Sequence, residues 1–489
     1  MRITLDDSEI RKSSIKKVVN TNGNSALHSV KLKPNKTSKV KKATKVIFII
    51  TAVLFTVLLS YSGYLVYKAY KAGRLIGFNF KPSDVISQEL PELKKDSTGK
   101  YTNVLLVGID TREKGELLNT DSIILASYNH ETKNTILISI PRDLHVQINP
   151  DVYWFQKINS VYATYENKGT GKGLPRLEDV VEEITGYEIQ YHAMIDYKGF
   201  VELIDTLGGI DINVENSFID YQFPDGDNYK KISFQEGPQH MDGQTALEYA
   251  RSRHSMQNNE GSDFARARRQ QKVVSALTEQ VSYSSILNPK SLMGIFNVIQ
   301  DNVKISEFTI NDIEAAIEEL KIFKDEREIY SFVLDPLAGS GKLLTEKNVV
   351  STNAYAIGPI EGLGNYGNIK IYLQNVWKNP ALYQENPVIR IYNTGLGYTE
   401  THQEYLKLVE EFPYLKISYA GTLYSDKENI ISYINKTKGY TNSLKSINSF
   451  LKPDNSEKPE YIQNGLNGED ITILYGKQII KEENNQEAQ

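Results

Sequence analysis

Residues 103–112 read NVLLVGIDTR, an apolar run broken off by Asp110, and their reading decides the fold. A short run of this kind, ended by polar residues, predicts a strand buried on both faces. Two further runs, IILASY at 123–128 and TILISI at 135–140, predict its neighbours. Helical spacing takes over at 177–185 and at 197–207, the latter stopped by Gly208 and Gly209, and IDINV at 210–214 returns as a strand. Strands interleaved with helices predict an α/β or α+β sheet packed between helical layers.

Outward from this core, the C-terminal direction carries a helix at 265–282, with Val273, Val274, Leu277 and Val281 on its apolar side. Another helix is predicted from Ile310, Ile313, Ile317 and Leu320. The pattern restarts after residue 385: strand 388–392, helix 401–411, strand 415–419, helix 429–437 and strand 471–475. This predicts a catalytic domain over 101–384, a smaller C-terminal α/β domain over 385–478 and a polar tail over 479–489.

In the N-terminal direction, residues 46–67 (VIFIITAVLFTVLLSYSGYLVY) are uncharged and mostly apolar. Twenty-two residues at about 1.5 Å each cover roughly 33 Å, enough to cross a bilayer, so one transmembrane helix is predicted. A cleaved signal peptide fits less well, because the run is too long and no Ala-x-Ala site follows. Lys39, Lys41, Lys42 and Lys45 place the basic tail, residues 1–45, in the cytoplasm and everything after the span outside. Residues 68–100 then form an extracellular stalk. The tail holds twelve Lys and Arg against three acids, so the net charge of −5 comes from the rest of the chain. Its position beside a membrane suits lipid headgroups better than nucleic acid, for which it has no motif. The absence of cysteine rules out disulfides and thiolate catalysis.

The chemistry concentrates in residues 249–271, YARSRHSMQNNEGSDFARARRQQ. Arg251, Arg253, Arg266, Arg268 and Arg269 stand there beside Asp263, Gln270 and Gln271. Basic runs on helices are usually solvated faces. Here the run follows Leu247 and Tyr249, which read as buried, and mixes Arg with Asp and Gln, which favours a fixed network that binds an anion such as phosphate. Asp110 and Asp121 end and open buried strands, where two carboxylates and a substrate diphosphate would satisfy Mg²⁺. Ordinary loop-capping aspartates explain them equally well on these grounds. Arg142, Lys157 and Asn159 stand on what would be the same rim. AGSGK at 338–342 fails as a phosphate loop, because Pro336 stands where the first glycine belongs and Leu343 where Ser or Thr belongs. Gly-x-Ser-x-Gly is absent, and the seven histidines lack zinc-ligand spacing.

NVLLVGIDTR, NTDSIILAS, SIPRDLHV, KINSVYA, DYKGFVELIDTLGGIDINV, GPQHMDGQTALEYARSRH and DFARARRQQ, in that order, resemble the LytR-CpsA-Psr family of bacterial membrane-anchored cell-wall proteins. The resemblance covers about 101–277; residues 387–477 resemble, more weakly, the LytR C-terminal domain. TYENKGTGKG after KINSVYA departs from the family's Gly-Gly. The resemblance implies an α/β (α-β-α layered) catalytic domain with a mixed central sheet. It also implies a phosphotransferase moving a glycopolymer, teichoic-acid-like or capsular, from a polyprenyl diphosphate donor onto a peptidoglycan acceptor. On this resemblance Asp110 and Asp121 bind Mg²⁺, or Mn²⁺ in its place. Arg142, Arg251, Arg253 and Arg266 hold the diphosphate, and Gln270 contacts the head group. Arg112, Lys157, Asn159 and Arg269 complete the expected substrate contacts, and the prenyl tail lies in a tunnel between sheet and helices. Asp121 or Asp263 is the candidate base. Arg268 is expected to be solvated. A diphosphate phosphohydrolase and a non-catalytic wall-binding scaffold are the alternatives from the same residues.

Overall fold

The computed structural model describes residues 92–110, 119–226, 228–280, 298, 302–306, 315, 328–347, 349, 355–423, 432–435, 439–452 and 468–476. The expected tail, membrane span and most of the stalk, Arg112, Val281 and the helix expected from Ile310 to Leu320 lie outside these residues, apart from the single helical residue Ala315. Among the described residues, no helix is long and apolar enough to cross a membrane.

The chain begins with β1 (Tyr101–Ile109), β2 (Thr120–Asn129), β3 (Thr135–Ser139) and a small hairpin of β4 (His145–Gln147) and β5 (Phe155–Lys157). Helices α1 (Val161–Glu166) and α2 (Gly173–Thr185) lead to β6 (Tyr191–Asp196), α3 (Tyr197–Thr206) and β7 (Ile210–Val214). A long hairpin, β8 (Phe218–Asp225) and β9 (Asn228–Phe234), precedes β10 (Gly237–Met241), α4 (Gly243–Arg251) and α5 (Asp263–Gln280). Then come β11 (Val303–Ile305), β12 (Ile329–Val333) and the two-residue strands β13 (Leu344–Thr345) and β14 (Gly358–Pro359). The remainder is α6 (Gly367–Lys378), α7 (Pro380–Glu385), β15 (Val388–Asn393), α8 (Tyr398–Glu411), β16 (Lys416–Thr422), β17 (Ser432–Asn435), α9 (Thr441–Leu451) and β18 (Ile471–Tyr475).

Six strands form a mixed sheet in the order β11-β6-β1-β2-β3-β12. β1 is antiparallel to β2 and parallel to β6; β2 and β3 are antiparallel, and β12 joins β3 in parallel. The three central strands are buried on both faces because helices cover both. Leu105, Val107, Ile123 and Leu125 pack with Leu177 and Val181 of α2 and with Leu373 and Val376 of α6. On the other face Leu106, Ile124 and Ile195 look toward α3, α4 and α5. Gln271 ties α5 to the sheet, its Nε2 donating to the Phe332 carbonyl at 2.7 Å. The α-β-α layering read from the sequence is therefore present.

Local signals set the helix ends. Gly186 takes a left-handed φ of 78° to close α2. Asp196 and Asp242 cap α3 and α4 by accepting from Gly199 N and Thr245 N. At Gly243 an added Cβ would sit 2.3 Å from the Val201 carbonyl oxygen, so α4 meets α3 with backbone against backbone. Gly243→Ala is therefore expected to destabilise the protein by about 1–3 kcal/mol, as overpacking does, and a thermal unfolding midpoint equal to wild type would refute the close contact.

A second sheet runs β16-β15-β18-β17, with parallel pairs on both sides of β15. One expectation fails here. Within 429–437, read as a helix, the described residues 432–435 form a strand antiparallel to β18, pairing Ser432 with Leu474 and Asn435 with Ile471. The β-branched, aromatic run IISYIN suits an edge strand. The helix of this region is α9, further along the chain. The apolar core continues past residue 385, since Ile389, Ile391, Ile471 and Ile473 belong to the same buried cluster as Leu105 and Tyr372.

Candidate functional site

Asp110 directly follows β1, and β2 opens with an irregularity beside it. Gly108 pairs with Ser122 but Ile109 pairs with Thr120, so Asp121 is an extra residue, a β-bulge. Successive strand residues normally point to opposite faces. The bulge cancels that alternation, and Asp121 and Ser122 both face the cavity on the helical side. The Asp121 carboxylate accepts from Arg142 Nη1 at 2.7 Å and from the Tyr197 hydroxyl at 3.2 Å. Tyr197 is the first residue of α3, and burial, reinforced by Asp121 and Asp110 against Arg251, pushes its phenol well above the usual range. It stays protonated and donates.

Arg142 leaves the loop after β3 and meets three carboxylates: Asp121, Asp143 at 3.6 Å and Asp263 at 3.6 Å. Burial opposes its charge, yet Asp263 and Asp121 outweigh burial and hold the guanidinium above its ordinary range. Arg266, one turn into α5, lies 2.7 Å from Asp263 and is pulled down, first by burial and then by the charge of Arg142. Arg253 is 3.9 Å from the same Asp263 oxygen. These approaches are ion pairs without hydrogen-bond alignment at that oxygen, and the buried Nε groups of Arg142 and Arg266 also lack an aligned acceptor. Crowded guanidiniums with unsatisfied buried donors are costly unless an anion completes them. Arg251, at the end of α4, lies 4.3 Å over the Tyr197 ring.

From this cluster a cavity of about 240 Å³ extends between the main sheet and α3, α4 and α5. Its polar end carries Asp121, Arg142, Arg251, Arg253, Arg266 and Gln270; its length is walled by residues such as Leu106, Ala193, Leu203, Leu247, Leu277 and Val303. Gln270 also donates to the Ala250 carbonyl at 3.4 Å, which orients its amide. Such a cavity suits a ligand with a strongly anionic head and an apolar tail.

Several expected contacts are placed differently. Arg269 is buried, its Nε donating to the Tyr249 carbonyl at 2.9 Å, Nη1 to Glu260 and Nη2 to the Ser252 carbonyl. Its guanidinium also stacks 4.8 Å from the Phe218 ring centroid. It braces the loop between α4 and α5 and does not line the cavity. The reading as a substrate contact is thus corrected: an arginine encircled by carbonyls and one carboxylate has its donors engaged within the protein. Arg268 is exposed, as expected. Lys157 is ion-paired to Asp143, and Asn159 meets the Arg142 carbonyl through its backbone NH at 3.2 Å; both support the rim outside the cavity lining.

Sequence reading missed Tyr197, Asp143 and Asp220. Asp220 is fully buried on β8 and accepts from Ser252 Oγ at 2.7 Å and from the backbone NH groups of Arg253 and His254 at 3.2 Å each. It and Arg269 both hold the turn at Ser252. The signal, an acid inside FIDYQF, is legible as unusual in an apolar strand, but nothing local names its partner.

For a metal, the donors at hand are oxygens alone. Among the described residues no three His, Cys, Asp or Glu side chains converge on one point. Two aspartates at neighbouring strand ends fit Mg²⁺ in the manner of sites that substrate phosphates and water complete.

In comparisons with known proteins, the model of the LytR_cpsA_psr family matches residues 76–332. The teichoic acid transferase TagV of Bacillus subtilis (strain 168) is 30% identical over 273 residues, which cover 55% of this chain and 66% of TagV, just under two thirds of that relative's length. TagU of Bacillus licheniformis, described as a polyisoprenyl-teichoic acid–peptidoglycan teichoic acid transferase, is 30% identical over 281 residues, 56% of this chain and 82% of the relative. The crystal structure of B. subtilis TagV matches with 24% identity and a TM-score of 0.42, covering 57% of this chain and 96% of that chain.

Proposed function

The chain belongs to the LytR-CpsA-Psr family, and from that premise we propose that it is a membrane-anchored phosphotransferase transferring a glycopolymer from a polyprenyl diphosphate donor to peptidoglycan outside the cell. The observation that carries this reading is the two-ended cavity: apolar along its length, closed at one end by Asp121, Arg142, Arg251, Arg253 and Arg266. A prenyl chain matches the apolar walls and a diphosphate matches the arginines. The relatives' described activity supports the same donor and acceptor classes. Residues 46–67 supply the anchor in this reading.

An acceptor hydroxyl oxygen attacks the phosphorus next to the glycopolymer, and the bond from that phosphorus to the bridging oxygen breaks. Polyprenyl phosphate departs with the bonding electrons, and the hydroxyl proton passes to a carboxylate of the rim. Asp263, which holds no metal in this reading, is the candidate acceptor of that proton. Phosphoryl transfer asks mainly for positioning and for charge stabilisation as the bridging oxygen leaves. Arg142 and Arg266, spaced by Asp263, present forked donors to the equatorial and leaving oxygens. Tyr197 holds Asp121 in place. Asp110 and Asp121 would hold Mg²⁺, or Mn²⁺, which supplies Lewis-acid charge neutralisation when bound.

The test is product analysis on the full-length protein with a lipid-diphosphate-linked glycan. Polyprenyl phosphate together with a glycan–peptidoglycan conjugate is expected when peptidoglycan is present. Free glycan phosphate in equal amounts with and without acceptor would mark a phosphohydrolase instead, and binding without turnover a scaffold. Chelation by EDTA is expected to lower the rate by about 100-fold or more, with recovery on adding Mg²⁺. Asp121→Asn should show the same low rate with Mg²⁺ present; a chelator-insensitive rate would remove the metal from this scheme.

A further inference from the structure

The β4–β5 hairpin stands on the rim of the site and ends in an exposed aromatic tip. Residues 149–156 read NPDVYWFQ, in which Tyr153 is 83% exposed, Val152 52% and Trp154 42%. Within β5, strand alternation puts Phe155 and Lys157 on one face, and Tyr153 stands in the tight turn before it, where Trp154 N donates to the Val152 carbonyl at 2.6 Å. The Tyr153 and Phe155 rings meet edge to face at 4.8 Å, and Lys157 lies 5.9 Å from the centre of the Tyr355 ring. The backbone at Gly364 packs in ordinary contact against the edge of the half-buried Phe155 ring. The stripe reaches the anion cluster directly: Lys157 pairs with Asp143, and Asp143 lies 3.6 Å from Arg142. Tyr355 is held at the rim because the segment after it pairs with the β4 edge, His145 N donating to the Ile357 carbonyl at 2.8 Å, and its hydroxyl donates to Glu346 at 2.8 Å.

We propose that Tyr153, Phe155 and Tyr355, with Lys157, form a track that binds the pyranose chain of the acceptor and delivers its hydroxyl to the diphosphate. This rests on the transferase reading above. Exposed contiguous aromatic rings mark a binding surface, and rings flanked by polar groups suit sugars, which present both C–H faces and hydroxyls. The charge pattern disfavours an anionic bilayer as the occupant: residues 149–157 hold one acid, Asp151, and one cation, Lys157, whose charge is paired with Asp143, whereas surfaces that dock on anionic lipid carry several basic residues beside their aromatics.

Trp154 and Trp377 are the two tryptophans of the chain, and Trp377 is buried against Tyr187, so a change in tryptophan emission reports on the tip. Amidase-prepared peptidoglycan glycan strands, titrated into the full-length protein in detergent, are expected to shift the emission. Tyr153→Ala should weaken their binding about 5–10-fold, and Phe155→Leu comparably, while Tyr153→Phe keeps the ring and the wild-type affinity. Geranylgeranyl diphosphate serves as the separate control on the donor site. If the wild type fails to bind that diphosphate, the transferase reading falls. If it binds the diphosphate but Tyr153→Ala and Phe155→Leu take up glycan like wild type, the track is refuted. Quenching of the emission by brominated phosphatidylglycerol in mixed micelles, with no response to glycan, would also overturn the proposal by showing a lipid-docking tip.

Discussion

Arg142→Ala is expected to lower kcat/KM for transfer from a lipid-diphosphate donor by about 10³-fold or more, the scale of removing a preorganised donor at developing charge. The geometry gives a reason to expect the upper end. Arg142 is 16% exposed and, among the described residues, is the one guanidinium that meets Asp121, Asp143 and Asp263 together. Its loss withdraws a phosphate donor and also removes the cation that Asp121, Asp143 and Asp263 share. Those acids would then repel the substrate they helped to position. Arg142→Lys keeps the charge without the planar fork, so partial recovery is expected, well short of wild type. Circular dichroism and the unfolding midpoint check that the fold survives, and diphosphate affinity by calorimetry separates binding from turnover. Wild-type turnover in Arg142→Ala and in a parallel Arg251→Ala would remove the basis for the site.

Arg269→Ala should act differently, through stability. Its side chain is 3% exposed and its guanidinium is paired with Glu260, so truncation strands a carboxylate and the Tyr249 and Ser252 carbonyls. Breaking a buried pair in this way costs about 3–5 kcal/mol, a fall in melting temperature of roughly 10 °C for a unit of this size. Donor affinity measured well below that temperature should drop less than 10-fold, against about 100-fold or more for Arg142→Ala. A variant that melts like wild type yet loses the diphosphate would return Arg269 to the substrate-contact role that the structure takes from it. The comparison tests whether two arginines three helical positions apart, Arg266 and Arg269, do separate work.

Much of this was legible in the chain. The apolar runs at 103–109, 123–128 and 135–140 announce buried strands, since a strand covered by helices on both faces has no solvent side to alternate with. Arginine density after Leu247 and Tyr249 announces an anion site. The misread segment 429–437 shows the limit of the same method: a short apolar run suits strand or helix alike, and its pairing with β18, more than thirty residues on, decides between them.

The sequence by itself determined the element types of the core, the apolar span at 46–67 and the residue types able to hold an anionic ligand, because these depend on local composition and period. Only the tertiary structure decided that Asp121 is bulged into the cavity, that Arg266 faces the ligand space while Arg269 braces a loop, and that Tyr197, Asp143 and Asp220 orient the cluster. The physical reason is that a side chain's partners are set by strand register and helix docking between segments distant in the chain. One extra residue between two hydrogen-bonded pairs changes which face a carboxylate presents, and no periodicity within its own segment records it.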